Sequence, residues 1–368
     1  MAYVAVQGGQ EAIKESNILL EYDRVSSGEL LELEVIKGTM MDLIYQIMSE
    51  SSLYDEDLAA LALKQARGSM EEAVFLLRAH RSTLPRIYYT TITDTTKMEV
   101  ERRISASFKD IPGGQFLGKA YDFSQRFLNF SLVNESKEDL LKIKSDYENR
   151  DIYKSKVEFD KLPKVVDYLV SEGLFKKREN NNAEPDDITK KKIEFPATRS
   201  QRLQSLTRGQ TGAVTSFGYA EIRGFGIGSH PNIGELRVGD LPLHVDPFNA
   251  DEEDEYYIGS IKVTEVEAFC SAEVEEDGEN LLGFEIGYGL VYGQNETKAI
   301  AMSVLDHSLE YSNGEGALSS DEEFVLLHID SVESTGFISH LKLPHYVTFQ
   351  SKLDGIRKIR EKGDKNGK

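Results

Sequence analysis

The chain holds a single cysteine, Cys270, in 368 residues, and that scarcity removes several classes of protein. An internal disulfide is impossible, and one thiolate cannot hold an iron–sulfur cluster, so any such cluster belongs to a partner. Long apolar runs are missing too. None approaches the length that spans a bilayer, and residues 1–9 lack the basic and long apolar parts of a secretion signal. The expected location is the cytoplasm, without membrane contact, where the glycosylation-like triplets at Asn129, Asn134 and Asn295 have no meaning. Positive charge is also short: 43 Lys and Arg stand against 63 Asp and Glu, a formal net charge of -20 at pH 7. That balance excludes a general nucleic-acid backbone binder, and any nucleotide must find a local basic pocket.

What is present suffices for a core, with 40% hydrophobic residues over a length that allows two domains. The expected class is α+β, with a helix-rich N-terminal half and a mixed strand and helix C-terminal half. Residues 1–175 form a mostly helical region, 176–198 a polar linker where apolar content collapses, and 199–368 an α+β region. Tyr3 to Val6 is expected as a strand, followed by a helix from Glu11 to Leu20. Asp55 to Ala66 and Ser69 to Ala79 predict a helical hairpin, with Gly68 as the stop of the first helix and Ser69 with Glu72 as a capping pair. Leu162 to Gly173 is expected as a helix with proline at its start and glycine past its end. Strand-like segments follow at 213–222, 236–245, 257–268 and 281–291. Asn295 is placed to cap a helix reaching about Leu309, and Phe349, Leu353, Ile356 and Ile359 stripe a last helix.

Gly113 to Lys119 nearly meets the phosphate-loop spacing, but Ala120 stands where a magnesium-holding hydroxyl is needed, so the glycines are taken as a turn. Near the end, His340-Leu-Lys-Leu-Pro-His345 sets two imidazoles five residues apart across a proline. Pro344 keeps them from stacking as a helical pair, yet a loop can converge both on one ion. Two histidines fill half a tetrahedral zinc shell, and His328 is the nearest further candidate. The alternative is a histidine capping a carbonyl and another in a core wall.

Several segments taken together resemble a known family. They are Tyr3 to Gly9, Ala60 to Ala66, Glu101 to Ala106, Asp110 to Gln115, Pro185 to Thr189, Tyr288 to Val291, Asp321 to Val325 and Ser339 to Tyr346, in that order. The family is PhnI of the bacterial carbon–phosphorus lyase system. The resemblance implies a subunit of a multi-protein assembly, two copies per assembly, that displaces adenine or guanine from ATP or GTP with an alkylphosphonate. The product is an alpha-D-ribose 1-alkylphosphonate 5-triphosphate. It implies PhnG, PhnH and PhnL as partners in this transfer, and PhnJ, a radical iron–sulfur enzyme, packed on this chain. It also implies that His340 and His345 bind zinc at a subunit interface, and that magnesium accompanies the nucleotide.

Such chemistry builds positive charge on the sugar and negative charge on the departing purine. It calls for a carboxylate near the ribose, a proton donor near the base and cations on the triphosphate. Arginine suits phosphoryl groups because its planar fork donates two parallel hydrogen bonds. The candidate cations are Arg102, Arg103, Lys109, Arg199, Arg202, Arg223 and Arg237; the candidate catalytic groups are His230, Glu235 and Asp330. His230 follows a glycine-rich loop from Arg223, and a mobile loop with a locally bonded histidine is the competing reading. Glu235 with Arg237 can equally be a surface ion pair, and Asp330 a surface turn residue. Two rival functions stand beside the transferase: a scaffold supplying zinc ligands, and a stand-alone purine nucleotide hydrolase.

Overall fold

The computed structural model describes residues 9–150, 162–175, 183–225, 230–248, 255–276, 279–311, 318–343 and 345–366. The strand expected at 3–6, the glycines at 226 and 228, and residues 176–182 of the polar linker lie outside them. In chain order the helices and strands are α1 (Gln10–Val25), α2 (Leu33–Thr39), α3 (Met41–Ser51), α4 (Glu56–Gln65), α5 (Met70–Arg81), β1 (Glu99–Ile104), α6 (Lys137–Glu148), α7 (Val165–Ser171), α8 (Arg199–Arg208) and α9 (Thr211–Ala220). There follow β2 (Asn232–Val245), β3 (Tyr256–Glu276), β4 (Glu279–Tyr292), α10 (Glu296–Tyr311), α11 (Glu322–His328), α12 (Ser331–Ser339) and α13 (Tyr346–Asn366). The class is α+β.

Two compact units emerge, each assembled from separate stretches of chain. The first comprises Met1–Pro85, Glu184–Gly228 and Val291–Lys368; the second comprises Arg86–Ala183 and Ser229–Leu290. The division by sequence position into 1–175, 176–198 and 199–368 follows a different line, because residues far apart in the chain pack together.

The first unit is helical. Its hairpin forms where local chemistry asks for it: the Asp55 carboxylate accepts from Leu58 N at 2.8 Å, and Ser69 Oγ accepts from Glu72 N at 3.4 Å. Gly68 adopts φ 87°, the left-handed turn that ends α4. Ile36, Ile44, Ile47, Met48, Ala59, Leu63, Val74 and Leu77 form its core. Each large aliphatic side chain removed from water here contributes about 1.5–3 kcal/mol. Asn295 caps α10 as expected, its Oδ1 accepting from Lys298 N at 3.3 Å.

One segment differs from expectation. Residues 213–222, expected as a strand from their β-branched and aromatic content, lie in α9 and the turn after it. The Gln210 side chain caps α9 by accepting from Ala213 N at 2.6 Å. Gly218 lets α9 lie close on α10: a Cβ there would sit 2.9 Å from the Ala301 Cβ. Helix packing overrides local propensity at this position.

The second unit is an antiparallel sheet in the order β1-β2-β3-β4. β1 aligns Arg103 with Arg237, and β2 aligns Arg237 with Glu265 and Glu235 with Glu267. α7 packs Val165 and Leu169 with Ile111, Phe175 and Phe269 in a small apolar core.

Candidate functional site

Side chains alternate between the faces of a strand, so the register places Arg103, Glu235, Arg237, Glu265 and Glu267 on one face of the sheet. There they form one network, in which Arg237 Nη1 and Glu267 Oε2 are buried without a hydrogen-bond partner. Arg103 Nε donates to Glu235 Oε1 at 2.5 Å, while its Nη atoms donate to the carbonyls of Pro112 at 2.5 Å and Pro163 at 2.7 Å. Glu235 Oε2 accepts from Val165 N at 2.9 Å, in the first turn of α7. Arg237 pairs with Glu265, and Lys164 Nζ bridges Glu265 and Glu267 at 2.8 Å each. Tyr288 and Thr95 hydroxyls donate to Glu265 Oε1 at 2.9 and 2.7 Å.

Burial pushes the Glu265 carboxyl up, but Arg237 and Lys164 outweigh it and hold it at about 2. Burial raises Glu267, which Lys164 only partly offsets while the neighbouring Glu265 adds repulsion. Burial and Glu265 together hold the Tyr288 hydroxyl well above its usual range. Neighbouring carboxyls pushed apart in this way are what acid–base catalysis uses. Here, however, three cations (Arg103, Arg237, Lys164) face three carboxylates (Glu235, Glu265, Glu267), and Arg103 and Glu235 are 0% and 2% exposed. In this conformation the network clamps α7 and the 110–116 turn to the sheet. One glycine of the near phosphate-loop serves the same end: Gly113, at φ 83°, leaves room for Arg103 Nη1, which a Cβ would approach to 3.0 Å.

Other sequence-predicted cations also have carboxylate partners. Arg102 donates to Asp122 at 2.5 Å, Arg199 to both oxygens of Asp306 at 3.2 and 2.6 Å, and Arg202 to Glu310 and, at 3.2 Å, to Glu322. Lys109 is exposed in the turn before Gly113. Arg223 is exposed, 5.9 Å from the Tyr219 ring. His230 is exposed and its Nδ1 donates to the Pro231 carbonyl at 3.0 Å. Asp330 is the N-cap of α12, accepting from Val332 N and Glu333 N at 3.0 and 3.2 Å, and it also pairs with Arg78 at 2.7 Å.

His340 and His345 do come together. Their ring centres lie 5.3 Å apart at 75°. His345 Nδ1 donates to the Leu343 carbonyl at 2.8 Å and His340 Nδ1 to the Phe337 carbonyl. A carbonyl can only accept, so both rings carry their proton on Nδ1 and keep the Nε2 lone pair for a ligand, the arrangement that metal-binding imidazoles use. Two imidazoles on one tetrahedral zinc, bound at about 2.0–2.1 Å, have ring centres about 5 Å apart. The pair therefore fits half of a zinc shell. His328 likewise donates its Nδ1 proton to a carbonyl, that of Phe324 at 2.6 Å, but it does not join the pair: among the described residues no group of three His, Cys, Asp or Glu can hold a metal. A partner or solvent would supply the rest.

A basic cluster in the first unit escaped sequence reasoning. Arg78 donates to the Glu50 carbonyl at 2.8 and 3.0 Å and to the Arg208 carbonyl at 3.3 Å, besides Asp330; Arg81 donates to the Ser51 carbonyl. These guanidiniums cap the C-terminal ends of α3 and α8. Lys298 is fully buried, donating to the Thr207 carbonyl at 2.6 Å, and burial pushes its ammonium down to about 8. The cluster draws on positions 78, 81, 208 and 298, and no local pattern announces it.

The groups brought together are thus carboxylate-paired arginines, a cluster of arginines at helix ends and a converging imidazole pair, all on an α+β frame. The chain belongs to the PhnI family, described as bacterial phosphonate metabolism protein (PhnI), whose sequence model matches residues 2–363. It is 40% identical over 379 residues to the alpha-D-ribose 1-methylphosphonate 5-triphosphate synthase subunit PhnI of Rhizobium meliloti (strain 1021), covering 98% of this chain and 96% of that one. It is 41% identical over 366 residues to the PhnI subunit of the same name from Escherichia coli (strain K12), covering 98% of each. HtxH of Stutzerimonas stutzeri, named as a C-P lyase subunit protein, is 41% identical across 98% of this chain and 97% of its own.

Proposed function

We propose that this chain is the nucleosidase and transferase subunit of an alpha-D-ribose 1-methylphosphonate 5-triphosphate synthase, displacing the purine of ATP or GTP with an alkylphosphonate. The observation that carries this reading is the full-length match to relatives bearing that name. Partners of the PhnG, PhnH and PhnL types direct the phosphonate, rather than water, to the sugar, and a PhnJ-type subunit docks beside the histidines. Zinc sits on His340 and His345, whose Nε2 lone pairs suit it, and magnesium travels with the triphosphate. His345 is exposed and His340 half-buried, which leaves the remaining zinc positions to a partner or solvent. Loss of stoichiometric zinc from the assembled complex on replacing both histidines by alanine is expected; full retention would sink the metal assignment.

The catalytic test is chromatography of free adenine released from MgATP, with the chain alone and with its partners plus methylphosphonate. Adenine from the isolated chain, rerouted to a ribose phosphonate when partners are present, is the expected result. Silence from the isolated chain under every condition would favour the scaffold. Release indifferent to partners would favour a hydrolase.

A further inference from the structure

Arg102, Arg202 and Arg237 each have a buried nitrogen without a partner but also an ion-paired carboxylate; Arg208, the last residue of α8, has no such carboxylate among the described residues. Its Nε is buried without a hydrogen-bond partner, and no described carboxylate forms an ion pair with it. Asp330, the acid that attracts Arg208 most, is engaged by Arg78 through both carboxylate oxygens at 2.8 and 2.7 Å. Asp187 adds only a weaker attraction, and its side chain accepts from Thr189 N at 2.9 Å. Burial, followed by repulsion from Arg78 and Arg81, pushes the Arg208 guanidinium down to about 10.

The neighbours are fixed rather than adaptable. Arg78 and Arg81 are tied to backbone carbonyls at the end of α3, so they cannot swing away from Arg208 to relieve the repulsion. Folding thus holds three guanidiniums together in a strongly acidic protein. All three are only half-buried, which leaves the cluster open to an anion from solvent. A half-buried site of this kind screens charge less than open water does, so an anion gains more there than at the surface.

We propose that Arg208, with Arg81 and Arg78 behind it, forms a binding subsite for a tetrahedral phosphorus oxyanion. Such a ligand carries two or more negative charges and several acceptor oxygens, which match a guanidinium fork left without a protein partner. The chemistry is shared by two possible sources, the triphosphate tail of a nucleotide and a free phosphonate. This deepens the proposed function and rests on it only for the choice between those sources.

The test uses the full chain and thermal unfolding at low ionic strength. Inorganic phosphate, methylphosphonate and tripolyphosphate are each titrated against wild type, Arg208→Ala, Arg208→Lys and a surface control, Arg357→Ala. Saturable stabilisation of wild type and of the control is expected, with a midpoint at least tenfold weaker in Arg208→Ala and intermediate in Arg208→Lys. Arg208→Ala without anion is expected to melt no lower than wild type, because it removes repulsion and no bond. Tighter response to tripolyphosphate assigns the subsite to the nucleotide tail; tighter response to methylphosphonate assigns it to the incoming phosphonate. An anion response unchanged in Arg208→Ala, or none in wild type, overturns the proposal. Base release measured on the same samples is independent: its absence with the anion response intact would remove the nucleosidase reading alone.

Discussion

Two regions of this molecule bury arginines, and they handle the charge in opposite ways. On the sheet, Arg103 and Arg237 each face a carboxylate across the strands, with Lys164 joining Glu265 to Glu267. Among the helices of the first unit, Arg208 has no ion-paired carboxylate among the described residues, and Lys298 donates to the Thr207 carbonyl and Ser49 Oγ, with the Glu50 carboxyl only partly offsetting the cost of burying its charge. A buried ion pair adds little net stability over an apolar pair, but removing one member leaves a costly orphan. A half-buried cation without an ion-paired carboxylate carries part of that cost already, and a bound anion would offset it. The sheet network is therefore a fastener, and the arginine cluster a place that awaits an anion.

Breaking the fastener should have the largest effect. Arg103→Ala leaves Glu235 without its cation and is expected to cost about 3–5 kcal/mol, read from denaturant unfolding of the full chain. The next effect sharpens the other side of the comparison. The Lys298 ammonium has a folded pKa of about 8 against an ordinary value of 10.5, so between those values the unfolded chain binds more protons than the folded one. Stability should therefore rise with pH across that window, by about 3 kcal/mol, with the penalty fully present below pH 8. Lys298→Met should lack that rise, and parallel slopes for variant and wild type between pH 8 and 10.5 would contradict the account. The smallest effect should come from replacing both halves of the sheet pair, Arg103→Met with Glu235→Leu. It removes the orphan charge and should cost about 2 kcal/mol less than Arg103→Ala alone. Additive losses would show that the two residues act separately.

Much of the frame was legible where one residue decides a local geometry. Asp55, Ser69 and Asn295 each announced a helix start, and Gly68 and Gly173 a helix end, because caps and left-handed turns act within a few residues. The α9 segment was not, since its helical state depends on Gly218 meeting Ala301 of a helix some eighty positions later. The site divides along the same line. The histidine pair lies within six residues and its convergence was expected. Arg103 and Arg237 were singled out as ligands of substrate and Glu235 as a catalytic group, but the register that turns them toward one another and toward Glu265 is a property of three strands. Arg208 ends a polar helix before glycine, and nothing in the sequence shows that Arg78 and Arg81 will crowd it.

The most direct test compares thermal unfolding of Arg103→Ala and Arg208→Ala side by side, without added anion. A fall of about 10 °C for Arg103→Ala, with Arg208→Ala at or above wild type, is the outcome this account predicts. Equal falls would mean that Arg208 is held by the fold as firmly as Arg103, and the contrast between the two regions would not stand.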